Sequence, residues 1–288
     1  MIPTFVFVHG SGSAAHGWSA TQREMAARGH RTLAIDLPGR GAGFTRAYYE
    51  QDLETFAAEP SAVRGLTAAD FIAAVVDTVH LVRRHGPVVL VAHSFGGLPI
   101  TAAANALPEL IDHLVYIAAQ CPVNRAPGEY PALPEWSSSA LFPATAPLLV
   151  GDPAVRGFLR VNWRGADREQ REALRNAIAA EFTEDEFLTV MLTSQPDEVF
   201  WLTGPEWDHR AGKDSWGRIP RTFVKLTEDR SMPLAVQDLY IAEGDALTPD
   251  NPFDVREVKS SHAGFFRKPA ELVDILDELS GRAGAGAR

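Results

Sequence analysis

Ser94 stands in Val88-Val89-Leu90-Val91-Ala92-His93-Ser94-Phe95-Gly96-Gly97, an apolar β-branched run that meets small residues around one hydroxyl. The run passes directly into Leu98-Pro99-Ile100-Thr101-Ala102-Ala103-Ala104, so the stretch reads as strand, sharp turn and helix. A turn of that kind strains the backbone of its Ser and lifts Oγ above the sheet edge. It also aims the free N–H groups of the following helix at the same point. Only small neighbours tolerate the turn, and here they are Ala92 and Gly96. Ala92 replaces the first Gly of the usual G-x-S-x-G pattern, adding a methyl and keeping the position small. An ordinary Gly-rich strand-to-helix turn would explain the five residues alone; the strand before them and the helix after them favour a nucleophile.

A Ser hydroxyl is a poor nucleophile until a base takes its proton and a third group holds that base in the right tautomer. On an elbow of this kind the partners follow the Ser in the order acid, then His, on loops leaving the carboxyl ends of later strands. His113, His209 and His262 follow Ser94. His113 begins a predicted strand, at the wrong end of the sheet, and His209 falls in a stretch without predicted strands. His262 lies in Lys259-Ser260-Ser261-His262-Ala263-Gly264-Phe265, just past the last predicted strand, where a base belongs. For the acid, Asp229 follows the strand ending at Leu226-Thr227, whereas Asp245 follows Leu239 to Gly244, which reads as helix or as strand. Pro233 at a helix start, with Leu234, Val236, Leu239, Tyr240 and Ile241 behind it, favours the helix and therefore Asp229. Asp245 is the second choice, and Glu228 is expected to point the other way, into solvent.

An attacked carbonyl also needs donors for its developing oxyanion. The elbow offers the N–H of Phe95, and the Gly-rich turn His9-Gly10-Ser11-Gly12 offers the N–H of Ser11. The alternative, a phosphate-binding turn of a dinucleotide site, is disfavoured. Gly10-Ser11-Gly12-Ser13-Ala14-Ala15 lacks the third glycine of G-x-G-x-x-G, and Asp36 of the next strand sits in an Asp-Leu-Pro-Gly turn.

These residues need a sheet to hold them. Strands are predicted at Thr4 to Val8, Arg31 to Ile35, Val88 to Val91 and His113 to Ala118, with helices around Trp18 to Arg28 and from Thr67-Ala68-Ala69-Asp70 to Gly86-Pro87. The second helix has a Thr and Asp in capping-box positions and apolar residues at Phe71, Val75, Val79 and Val82. A short helix is expected near Tyr48 to Ala58. Alternating strands and helices indicate a parallel sheet with right-handed crossovers. From Pro122 to Arg221 the alternation stops: Pro-rich loops and helices at Arg168 to Phe182 and Glu184 to Leu192 replace it, with no clear strand. Five of the six tryptophans (Trp136, Trp163, Trp201, Trp207 and Trp216) lie there. The alternation resumes with a strand at Thr222 to Leu226, a helix at Leu234 to Ala242, a strand at Asp254 to Lys259 and a helix at Pro269 to Leu279. The expected organisation is thus an α/β core of residues 1–121 and 220–280, a helical cap of residues 122–219 and a flexible tail of residues 281–288.

The chain has 288 residues, 27 basic against 37 acidic, for a net charge of −10. An acidic balance with no basic run argues against nucleic acid and anionic membrane surfaces as partners and suits a small neutral or cationic ligand. The lone Cys121 cannot make an internal disulfide and reads as a small buried hydrophobe; no Cys/His cluster has metal-ligand spacing. Neither a metal nor a cofactor is expected. With no leader pattern and no long apolar run, the expectation is a cytoplasmic enzyme. The Ala/Arg/Gly bias fits a high-GC bacterial genome, and a homodimer is left open.

Taken together, Phe7-Val8-His9-Gly10-Ser11-Gly12, Ala34-Ile35-Asp36-Leu37-Pro38-Gly39, His93-Ser94-Phe95-Gly96-Gly97, Thr227-Glu228-Asp229-Arg230-Ser231-Met232-Pro233 and Ser261-His262 resemble, in that order, the α/β-hydrolase superfamily. Within it they look most like the plant methylesterases and hydroxynitrile lyases and their bacterial relatives. These motifs cover residues 3–120 and 220–280, but not the cap or the loop at 42–66. The resemblance implies six mostly parallel strands flanked by helices. It also implies an acid within Glu-Asp-x-x-x-Pro, which supports Asp229. Hydroxynitrile lyases of this branch carry Lys after the catalytic His, where this chain has Ala263, so the departure favours ester hydrolysis. The expected substrate is a small-alcohol or methyl ester, or a lactone, of a hydrophobic acid, in a pocket that Trp136, Phe142, Phe158 and Trp163 of the cap would line. A lyase or cyclase on the same fold, or a receptor-like member that only binds its ligand, are the competing readings.

Overall fold

The computed structural model describes residues 1–41, 43–199 and 208–285. Its first half runs β1 (Thr4–Val8), α1 (Ser19–Ala27), β2 (Arg31–Ile35), α2 (Arg46–Glu50), α3 (Leu53–Ala58), α4 (Ala68–Arg83), β3 (Val88–His93), α5 (Gly97–Ala106) and β4 (His113–Ile117). The cap segment holds α6 (Leu141–Thr145), α7 (Pro153–Arg156), β5 (Phe158–Arg160), α8 (Arg168–Ile178), α9 (Glu184–Thr193) and β6 (Asp197–Val199). Then come β7 (Arg221–Leu226), α10 (Leu234–Leu247), β8 (Asp254–Val258), α11 (Gly264–Arg267) and α12 (Ala270–Ala285).

Six strands pair in the order β2-β1-β3-β4-β7-β8, all parallel. Every residue of β1, β3 and β4 is buried, as continuous apolar runs covered on both faces must be, while β8 at one edge is buried only in part. The chain passes from β1 outward to β2 and then returns beyond β1 to β3. That reversal opens a crevice at the carboxyl ends of β1 and β3, where open α/β sheets bind ligands. Register brings particular residues there. Val8 pairs with Ala92, so the turn after β1 lies beside Ser94; Leu226 pairs with Val258, so the loops carrying Asp229 and His262 leave the sheet side by side.

The helices show why the sequence was readable. The Thr67 N–H and hydroxyl both donate to Asp70 Oδ2 at 2.8 Å, completing the predicted capping box, and α4 buries Phe71, Val75, Val79 and Val82 on the sheet. α10 continues past the expected end at Ala242 to Leu247. Gly244 does not stop it, because that glycine is packed against Phe253 and Trp216, where a Cβ would come within 2.6 Å of the Phe253 ring. α12 likewise runs beyond Leu279, reaching Ala285. Residues 286–288 lie outside the described residues.

The segment 122–219 corrects the expectation of no strand. β5 and β6 form a two-stranded antiparallel ribbon, with Leu159 opposite Glu198. Arg160 pins it: the buried guanidinium lies between the rings of Phe56 and Phe158 and donates to both Asp197 carboxylate oxygens at 2.7 and 2.6 Å. α8 and α9 close a separate apolar cluster around Leu174, Phe187 and Met191, whereas Tyr130, Trp136 and Trp216 pack into the main core. Trp216 is fully buried and donates from Nε1 to the Tyr116 hydroxyl at 2.8 Å. Trp201 and Trp207 lie outside the described residues.

Candidate active site

Among residues 86–104 only Ser94 is not buried. Its φ is +54°, a conformation that side chains larger than glycine's rarely adopt, on a short 3₁₀ turn between β3 and α5. The backbone around it leaves no room. A Cβ on Gly10 would lie 2.9 Å from Ser94 Cβ, and one on Gly97 would lie 2.1 Å from the Gln120 carbonyl oxygen. Both positions must be glycine for β1, β4 and α5 to close around the turn. The Gln120 N–H in turn donates to the Ser94 carbonyl at 2.9 Å, and Ala118 just before it also has a positive φ, of 37°.

His262 Nδ1 lies 2.6 Å from Asp229 Oδ2, and both residues are buried. A carboxylate only accepts, so the imidazole proton sits on Nδ1 and the Nε2 lone pair is left for a proton. Asp229 Oδ1 is held separately, accepting from the Ser231 and Met232 N–H groups at 2.7 and 2.8 Å. The loop after β7 therefore holds the carboxylate through an oxygen that His262 does not use. Asp245, the alternative acid, lies within α10 and accepts from the Phe253 N–H at 2.7 Å, a structural bond that ties α10 to the start of β8. Glu228 turns outward to Lys259 at 3.6 Å, as expected.

His93 joins the two halves, since it precedes Ser94 and its ring centroid is 4.4 Å from that of His262. Phe265 and Phe266 pack edge-on against the same ring, at 5.2 and 5.4 Å. Burial pushes His93 well below the ordinary imidazole range, so it stays neutral. His9 is also neutral: burial lowers its pKa to about 4. Its Nε2 accepts from the Leu37 N–H at 3.1 Å, and Nδ1 faces the Gly10 carbonyl at 2.9 Å, which ties the turn after β1 to the loop after β2.

Ser11 is exposed on that turn, and Phe95 is buried behind Ser94. The cap grips the next residue on both sides. The Gly12 N–H donates to Glu198 Oε2 at 3.0 Å, and its carbonyl accepts from the Gln195 N–H at 2.8 Å. Buried Arg40 pairs with the other Glu198 oxygen. Of the four aromatic residues expected to line a pocket, Trp163 comes to this turn: its indole N–H donates to the Gln195 carbonyl at 3.0 Å. Phe158 is buried between Arg156 and Arg160, and Trp136 is buried against Phe142, itself half exposed. Neither Glu198 nor Arg40 carries a motif; a buried charge pair is invisible until the fold brings its members together. Among the described residues, no group of three or more His, Cys, Asp or Glu could hold a metal ion, and no helix is long and apolar enough to cross a membrane.

Residues 5–275 match the alpha/beta hydrolase family. The chain belongs to that family. The match runs through the cap, where the sequence motifs stop. Over almost its whole length this hydrolase-fold chain is similar to plant enzymes. It is 25% identical to methylesterase 9 of Arabidopsis thaliana over 96% of this chain and 97% of that one. It is also 25% identical to norfluorocurarine synthase 1 of Strychnos nux-vomica over 96% and 94%. In fold it resembles the pyrethroid hydrolase of Sphingobium faniae, with a TM-score of 0.73 at 19% identity over 98% of both chains. The family thus includes esterases among its nearer members, and enzymes named as synthases as well.

Proposed function

We propose that the protein is a serine hydrolase that cleaves a carboxylic ester through an acyl-enzyme. The observation that carries this reading is the Asp229–His262 hydrogen bond of 2.6 Å together with a strained, unburied Ser94 whose chain neighbour His93 packs its ring 4.4 Å from that of His262. Ser94 Oγ attacks the ester carbonyl while His262 Nε2 takes its proton. The N–H groups of Ser11 and Phe95 receive the oxyanion, and Asp229 stabilises the imidazolium. Collapse of the tetrahedral intermediate expels the alcohol, which takes its proton from His262. Water, deprotonated by the same nitrogen, then attacks the acyl-Ser94, and collapse releases the acid as Ser94 Oγ takes the proton back from His262.

The substrate we favour is a methyl or other small-alcohol ester, or a lactone, of a hydrophobic acid. Trp163, resting by the turn after β1, would meet the acyl group. Ala263 after His262 offers no cation to hold cyanide, which supports hydrolysis over cyanohydrin cleavage. The test is a panel of methyl esters and lactones incubated in ¹⁸O-water with wild type and Ser94→Ala. The reading expects free acid carrying one ¹⁸O, absent with the variant. Similarity to a norfluorocurarine synthase supports a second reading, a non-hydrolytic enzyme of a biosynthetic sequence. Ser94-dependent conversion of a substrate without ¹⁸O in the product would favour that reading.

A further inference from the structure

Both chain neighbours of His262 are fastened to the cap. The Ser261 N–H donates to Glu181 Oε1 at 2.5 Å, and its hydroxyl lies between Glu181 Oε2 and the Ile178 carbonyl, 3.2 Å from the latter. On the other side, the Ala263 N–H donates to the Ile178 carbonyl at 2.7 Å, and the Ala263 side chain is buried in the cap's own cluster with Leu174 and Ala177. Gly264 makes space for this arrangement, since a Cβ there would lie 2.3 Å from a Glu181 carboxylate oxygen. The acid's loop is held by the same stretch: the Ser231 hydroxyl donates to the Ala177 carbonyl at 2.8 Å.

We propose that Glu181 is a positioning residue, a cap carboxylate that fixes the His262 loop so that the base is aligned only when the cap is seated on the sheet edge. The inference rests on His262 acting as the base, as proposed above. Carboxylate hydrogen bonds to N–H and O–H donors are shorter and stronger than neutral ones, and two of them on one residue leave little freedom of rotation. Ser261 is the residue from which the His262 backbone continues. A small rotation there would swing the imidazole away from both Asp229 and Ser94, and displacements of about 1 Å at a reacting group can cost roughly a hundredfold in rate.

The test compares wild type with Glu181→Gln, Glu181→Ala, Ser261→Ala and the Glu181→Gln/Ser261→Ala double variant, all as the full chain. The readouts are kcat and KM on p-nitrophenyl acetate, the rate of fluorophosphonate labelling, and the low-field NMR signal of the His262 Nδ1 proton, assigned by its loss in His262→Ala. Gln keeps an acceptor for the Ser261 N–H and gives up one for the hydroxyl. It should therefore lose roughly tenfold in kcat and Ala roughly a hundredfold, with KM within about twofold of wild type. Ser261→Ala removes the same hydroxyl bond, so the double variant should be no slower than the slower single one. The low-field signal should broaden or vanish in Glu181→Ala. If that variant does not fold, Glu181→Gln and Ser261→Ala decide the question. Unchanged kcat, a change in KM alone, or single-variant losses that multiply in the double variant would overturn the role. A wild type that neither labels nor cleaves esters would defeat the hydrolase reading instead; the NMR signal still judges Glu181 then, and a signal unaltered in Glu181→Ala overturns its role.

Discussion

Replacing Asp229 by Asn should do more than remove a charge; it should reverse the tautomer of His262. Asp229 Oδ1 accepts from two backbone N–H groups, those of Ser231 and Met232, at 2.7 and 2.8 Å. In Asp229→Asn only the amide oxygen can fill that place, so the NH₂ group must occupy the position of Oδ2, 2.6 Å from His262 Nδ1 in the wild type. An NH₂ group donates, so Nδ1 must accept and the ring proton must move to Nε2. The nitrogen that should take the Ser94 proton is then already protonated. A mis-set tautomer in a triad costs on the order of 10⁴ in kcat, about 5 kcal/mol of transition-state stabilisation. Asp245→Asn serves as the control. Asp245 only caps the Phe253 N–H, an Asn oxygen can do the same, and kcat should stay within about threefold. Both variants are compared by steady-state release of p-nitrophenol from a short acyl ester. Asp229→Asn within tenfold of wild type, or a crippled Asp245→Asn, would refute the assignment and the tautomer argument together.

Ser94→Ala and His262→Ala should each lower kcat by about 10⁴ or more, and the double variant little further, because the two act as one unit; losses that multiply would show independent roles. Gly97→Ala should destabilise the fold by at least about 2 kcal/mol in urea denaturation, since its Cβ would meet the Gln120 carbonyl oxygen at 2.1 Å; an unchanged midpoint would mean that α5 can shift away. His9 is held neutral, its pKa lowered by burial from 6.5 to about 4. The unfolded chain therefore binds the proton first, and stability should fall as pH drops from about 6.5 to 4, by about 3 kcal/mol from this group. His9→Asn should flatten that slope in urea titrations at successive pH values, and an unchanged slope would assign the acid sensitivity to other groups.

What the sequence made legible was chemistry written in local patterns. Ser94 was marked by small neighbours between a strand and a helix, α4 by Thr67, Asp70 and a four-residue apolar stripe, and His262 by its place after the last strand. Asp229 was less secure, because the choice against Asp245 turned on whether residues 234–243 form a helix. Those residues are helical, within α10. The cap was the least readable part. Three-residue strands such as β5 and β6 are too short to show alternation, and what holds them, Arg160 between Phe56 and Phe158, joins residues about a hundred positions apart. Glu181 and Glu198 look like ordinary surface acids in the chain. Only the fold shows that one reaches Ser261 and the other Gly12.

The most direct test of an activated Ser94 is labelling of the folded protein with a fluorophosphonate, with the modified peptide located by mass spectrometry. The account predicts one adduct, on Ser94, formed rapidly in wild type and lost in His262→Ala. Folded wild-type protein that leaves Ser94 unmodified, or labels equally well without His262, would contradict it.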